Sequence, residues 1–146
     1  MGLLRVEVGV TNPFQPAQQT SLELLVDTGA LLSILPEERL RELGIEPRER
    51  RVFRLADGRQ IEPEVGEARL HYDGYEGISK GVFGHKQDAA VMGVLALETL
   101  GLEVDPIKGE LRPDTLFLYP ANQIPTLSGH DFSRATNREP WRGFNH

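Results

Sequence analysis

Leu24-Leu25-Val26-Asp27-Thr28-Gly29-Ala30, continued beyond Leu31 by Leu32-Ser33-Ile34-Leu35-Pro36, is the stretch on which the reading of this 146-residue chain turns. Residues 21–26 read as an apolar strand that runs straight into Asp27. Aspartate is depleted in strands and costly to bury, so a carboxylate among Leu24, Leu25, Val26, Leu31 and Leu32 calls for a reason. Gly29 gives the backbone freedom for a tight turn, and its N–H can approach the carboxylate. The Thr28 hydroxyl is available to a neighbouring backbone group. Two readings stand at this point. Asp27 and Thr28 cap a turn, as such residues usually do, or Asp27 is a working group.

Moving outward, residues 3–10 form an earlier strand, joined to 21–26 as a hairpin through a polar turn containing Asn12, Pro13 and Pro16. Downstream, Pro36 opens a helix at its first position, with Glu37 and Glu38 in the first turn, where the helix dipole favours acids. Leu40 and Leu43 share a face, and Gly44 ends the helix. Asp57-Gly58, between residues 52–55 and 60–61, is a two-residue hairpin signal. Residues 65–72 and 78–83 flank a looser turn at Asp73-Gly74. A short strand at 89–91 ends in Met92-Gly93, and a second helix covers 94–100 until Gly101 stops it. Residues 102–104 and 110–112 flank a turn at 106–109, and 115–119 form one more strand. The expected organisation is one domain over residues 1–120 and a polar tail over 121–146.

The chain also echoes itself. Leu40-Arg41-Glu42-Leu43-Gly44-Ile45-Glu46 has the pattern of Leu97-Glu98-Thr99-Leu100-Gly101-Leu102-Glu103. Each copy follows an apolar strand that ends in glycine, Gly29 in one case and Gly93 in the other. Such an echo points to a repeat of strand, glycine turn and helix.

Composition removes several classes of function. Cysteine is absent, which excludes disulfides, thiolate chemistry and cysteine-based zinc sites. A net charge of −6 argues against nucleic acid as a partner. The interleaved Arg and Glu of residues 39–51 read as a solvated, salt-bridged surface. Apolar runs are interrupted by Asp27 and Glu98 too early to span a bilayer, and residues 1–10 lack the apolar core of a signal peptide, so a cytoplasmic location without membrane contact is expected. His71, His85, His130 and His146 show no metal-ligand spacing and read as surface or tail residues. GxxxxGK[ST] does not occur. No metal or cofactor is expected.

With these residues in view, 24–30 and the following Leu32-Ser33-Ile34-Leu35-Pro36 resemble the catalytic loop of retropepsin-like aspartic proteases. Val91-Met92-Gly93 is similar to that family's second marker, two apolar residues and a glycine before the C-terminal helix. Leu55-Ala56-Asp57-Gly58-Arg59 resembles the hairpin of its bacterial single-domain members. The similarity extends over residues 3–113. It implies a mostly β fold, a closed antiparallel acid-protease-like barrel with one or two short helices, and a homodimer. It also implies an aspartic endopeptidase in which two Asp27 carboxylates share a proton and activate a water for attack on a peptide or protein substrate. One Asp-Thr-Gly and no second copy means that a monomer cannot complete that site, whereas a twofold dimer can.

On the same resemblance, Asp27 is catalytic, Thr28 locks the paired loops, Gly29 and Ala30 shape the turn, and Val91, Met92 and Gly93 support the loop from behind. Leu55, Ala56, Asp57, Gly58 and Arg59 form a flap over the substrate, a role for which Asp73-Gly74 is the alternative. Leu31 and Leu32 stand where some viral members carry an acidic pair. Residues 3–10 and 115–119 are the expected interface strands. The competing expectation is a non-catalytic β domain used for dimerisation or peptide binding.

Overall fold

The computed structural model describes residues 4–115. They are mostly strand: β1 (Leu4–Asn12), β2 (Gln15–Val26), β3 (Ser33–Pro36), β4 (Glu49–Arg50), β5 (Phe53–Arg54), β6 (Gln60–Ile61), β7 (Glu64–Tyr72), β8 (Tyr75–Gly84), β9 (Val91–Met92), β10 (Leu102–Asp105) and β11 (Glu110–Pro113). Two short helices interrupt them, α1 (Glu37–Glu42) and α2 (Val94–Leu100). The expected strand at 115–119 and the tail at 121–146 lie outside the described residues, apart from Thr115, which is in no strand.

Strand periodicity dictates which side chains go inside. Along β1, Val6, Val8 and Val10 are buried, and along β2 Leu22 and Leu24 are. Their partners across the ladder, Val6 with Leu24 and Val8 with Leu22, bring these chains together on one face. β7 and β8 form the long second hairpin, adding Val65, Ala68, Leu70 and Phe83 to the same core.

The main sheet runs β1-β2-β9-β3-β8-β7-β4, and β7 pairs back onto β1 through Gly9↔His71, Val10↔Leu70 and Thr11↔Arg69. Six strands therefore close in a ring, with β4 added to the remaining length of the β7 edge. The ring is not antiparallel throughout. β2 runs parallel to β9 and β3 parallel to β8. The reason is topological: β9 inserts between β2 and β3, which are consecutive in the chain, so the loop between those two must step across it.

Local chemistry sets the helix ends. Pro36 is the last residue of β3 and stands just before α1, one position earlier than expected. At the other end Gly44 takes φ 79°. Gly44 N–H bonds to Arg41 O at 2.9 Å and Ile45 N–H to Leu40 O at 3.0 Å, the paired closure that a left-handed glycine allows. α2 ends the same way, with Gly101 at φ 71° and its N–H on Glu98 O at 3.1 Å. The turn at Asp73-Gly74 is tighter than expected. β8 begins at Tyr75, so only two residues connect the strands, at φ 49° and 86°, the mirror-image turn that matches strand twist. Arg41 pairs with Glu37 (2.9 Å) and Glu64 (3.3 Å), and Arg39 with Glu42 (3.6 Å), on an exposed surface.

Candidate functional site

β2 ends at Val26, and the next backbone N–H, that of Asp27, still bonds across to Met92 O at 3.0 Å. The chain then turns: Ala30 N–H meets Asp27 O at 3.1 Å, and Gly29 N–H meets the Asp27 carboxylate Oδ1 at 2.8 Å. The loop is braced from behind. Val94 N–H donates to Ala30 O at 2.8 Å and Leu95 N–H to Leu31 O at 3.0 Å. A helix start leaves its first N–H groups without intrahelical partners. Here the loop carbonyls receive two of them, which explains why α2 begins on a glycine with no side-chain cap.

Gly93 is required by space. A Cβ there would lie 2.6 Å from Leu32 C and 2.9 Å from Ala30 O. Its N–H donates to the buried Ser33 hydroxyl at 3.0 Å. Asp27, Thr28, Gly29 and Ala30 are thus brought together with Val91, Met92 and Gly93, all three of which are buried.

One expectation is corrected. Asp27 is not buried among leucines; Asp27, Thr28 and Gly29 are exposed, and Leu31 is 63% exposed. The apolar alternation that buries Leu22 and Leu24 stops with the strand, and the turn carries the carboxylate out past the strand end. The Gly29 N–H to Asp27 Oδ1 bond, two residues apart, is also what a turn-capping aspartate makes.

A hairpin forms around Asp57-Gly58, but its loop is longer than the expected two-residue turn: the five residues 55–59 connect β5 to β6. Leu55 N–H bonds to Arg59 O at 2.7 Å, and Gly58 takes φ 92°. Asp57 accepts the Arg59 N–H at 3.0 Å and the Arg59 guanidinium at 2.8 Å. These two bonds hold the Asp57 carboxyl below the ordinary carboxylate range. Among the described residues β5 and β6 pair only with each other, and no hydrogen bond ties this hairpin to the Asp27 loop. Tyr72 and Tyr75, beside the alternative tip, are the last pair of the β7–β8 ladder.

Two residues carry roles that their sequence context does not announce. Ser33 is the acceptor that fixes Gly93, and its one signal is a hydroxyl inside the apolar run 32–35. His71 is not a simple surface residue. It is half-buried at the β1–β7 seam, with Nε2 3.1 Å from the Thr11 hydroxyl and Nδ1 3.1 Å from Glu76. The order hydroxyl–imidazole–carboxylate resembles a nucleophile relay, but Thr11 is only 4% exposed, so the trio ties the ring's closing seam together. Among the described residues no group of three or more His, Cys, Asp or Glu is placed to hold a metal. A groove of about 330 Å³ lined by Asn12, Phe14, Ile45, Arg48 and Glu67 shares no residue with the Asp27 loop or the 55–59 hairpin.

Along β1, residues 4–8 pair with β2 alone among the described residues. Gly9, Val10 and Thr11 are paired on both sides, by β2 and by β7. Among the described residues no helix is long and apolar enough to cross a membrane. No protein-family model matches the chain, and no curated protein matches it.

Proposed function

We propose that the chain is an aspartic endopeptidase of the retropepsin-like kind, working as a homodimer in which each copy supplies Asp27. One observation carries this reading: an exposed carboxylate sits on a loop whose backbone is fixed at both ends, by Met92 O and by the first N–H groups of α2. Catalysis by positioned carboxylates needs such rigidity. The exposed Leu31 beside it supports the dimer, since a second copy of the same loop would cover both.

In the dimer one Asp27 is ionised and the other protonated, because like charges in contact cannot both ionise. The ionised carboxylate takes a proton from a water as its oxygen attacks the scissile carbonyl carbon. The protonated carboxyl donates to the carbonyl oxygen as charge develops there. Collapse of the tetrahedral species breaks the C–N bond as the amide nitrogen takes up a proton. Thr28 holds the two loops against each other, and the free-standing hairpin at residues 55–59 closes over the substrate and excludes water.

The second reading, a non-catalytic β domain, draws on the capping bond from Gly29 to Asp27, which needs no chemistry. Cleavage of a peptide library between acidic and neutral pH separates the two. The peptidase reading expects cuts whose specific rate falls on dilution as dimers dissociate. Sedimentation showing an active monomer at every concentration removes the shared site.

A further inference from the structure

Residues 48–61 carry five arginines (Arg48, Arg50, Arg51, Arg54, Arg59) against two acids (Glu49, Asp57). That is a local charge of +3 in a chain of net −6, so the remaining residues sum to −9. All five arginines are exposed. Some are already engaged: Arg59 with Asp57 at 2.8 Å, Arg48 over the Phe14 ring at 4.8 Å, and Arg50 with Glu62 O at 3.4 Å. Arg51 reaches Glu49 only at 4.0 Å, and Arg54 makes no ion pair among the described residues.

The segment is a ribbon with two distinct faces. Arg54 pairs across from Gln60 and Phe53 from Ile61, so one face is polar and cationic and the other apolar. Because β5 and β6 pair only with each other among the described residues, their outer edges are available to a further strand.

We propose that this hairpin docks an extended, acidic stretch of the substrate, so that the enzyme favours peptides with Asp or Glu near the scissile bond. The proposal rests on the peptidase reading above, in which the hairpin covers the site. An extended peptide satisfies its backbone groups by adding to an open strand edge, and the outward guanidiniums select its carboxylates. They also offset the repulsion that acidic residues meet from a strongly negative remainder of the chain. That remainder argues against a polyanion such as nucleic acid, whose uniform charge would be repelled beyond the ribbon.

The test uses three peptides with the same apolar scissile pair, flanked by Glu, Gln or Lys, with kcat/KM measured at low and high salt. The order Glu, Gln, Lys is expected at low salt, with about a threefold step per charge that shrinks at high salt. In the Arg51→Gln, Arg54→Gln double variant the Glu-to-Gln ratio falls toward one. Equal or better cleavage of the Lys peptide, or a ratio the double variant leaves unmoved, overturns the proposal while the peptidase reading stands. If no peptide is cut, the peptidase reading falls. Fluorescence anisotropy of the labelled Glu peptide on the full chain then decides the docking surface. Salt-sensitive binding weakened in the double variant supports it. Absent binding, or tighter binding of a short single-stranded DNA, overturns it.

Discussion

Residues 24–46 and 90–103 use one local plan to different ends. Each runs strand, turn, helix, left-handed glycine and buried aliphatic, with β3 inserted between turn and helix in the first. Leu40 and Leu97 are buried at 2% and 5%, Leu43 and Leu100 at 7% and 5%, and Ile45 and Leu102 at 5% and 4%. The strands before them lie side by side in parallel, Leu25 with Val91 and Val26 with Met92. One step further, Asp27 corresponds to Gly93. There the copies part: the first turn is exposed and bears a carboxylate, whereas the second is buried, bears no side chain and backs the first. The helical halves match because both pack into one core. The turns differ because one faces outward and the other holds it in place.

The largest expected effect lies at the position where the copies differ most. Asp27→Asn keeps an oxygen for the Gly29 N–H and alters an exposed group, so thermal unfolding should hardly move. Peptide cleavage should fall by about 10³-fold, within the range of general acid–base contributions. A variant with undiminished kcat/KM would return Asp27 to the role of turn cap and leave the two turns distinguished by packing alone.

Next come the two turn glycines. Gly93→Ala drives a methyl against the Leu32 and Ala30 backbone, which cannot swing aside as a side-chain end could. It should cost about 3 kcal/mol and displace the Asp27 loop with it. At Gly29 a Cβ would meet only Asp27 Oδ1, at 3.2 Å, so Gly29→Ala should cost less than about 1 kcal/mol while disturbing activity. Urea unfolding of both variants checks the contrast, and equal losses would mean that the second turn is no more a buttress than the first.

The repeat was legible because its signals are local. Gly44 and Gly101 follow leucines at helical spacing, and both helices end where the glycines stand. Asp57-Gly58 announced a hairpin for the same reason, though not its length, since residues 55–59 and not two residues connect β5 to β6. The exposure of Asp27 was not legible. Its apolar neighbours suggested burial, yet whether a residue at a strand end turns in or out depends on where the sheet closes, a property of residues 69–71 and 91–92 as much as of 24–27. The parallel pairings were hidden for a related reason, since no local pattern says that β9 inserts between β2 and β3. Ser33 looked like an interruption in an apolar run because its partner, the Gly93 N–H, lies 60 residues away.

A smaller effect tests the likeness of the copies. Gly44→Ala and Gly101→Ala each force a side chain into the left-handed region, at φ 79° and 71°, for about 1 kcal/mol apiece. Matched losses in thermal unfolding would support a shared structural role. A loss confined to Gly44→Ala would trace instead to Gln15 and Asn12, which a Cβ there would approach at 3.3 and 3.4 Å.

The smallest effect concerns the segments immediately C-terminal to the two copies. After Glu46 the first continues through Pro47 and Arg48, whereas after Glu103 the second runs through Val104 to Asp105 and folds straight back as β11. Asp105 seats that turn. Its Oδ1 accepts the N–H groups of Ile107 and Lys108 at 3.0 and 3.1 Å, and Arg112 lies 3.2 Å from Oδ2. The Lys108 N–H first, then the Ile107 N–H and the positive charge of Arg112, hold its pKa below the ordinary 3.8. A group whose folded pKa is depressed stabilises the fold above its unfolded value and loses that contribution as pH falls through the folded one. Asp105→Asn keeps an acceptor for the two N–H groups but removes the charge facing Arg112. The wild type should therefore melt higher than the variant at pH 6, and the gap should narrow as pH drops below about 4. A gap of constant size down to pH 3 would mean that the carboxylate's hydrogen-bonding geometry, not its charge, makes the second copy turn back where the first does not.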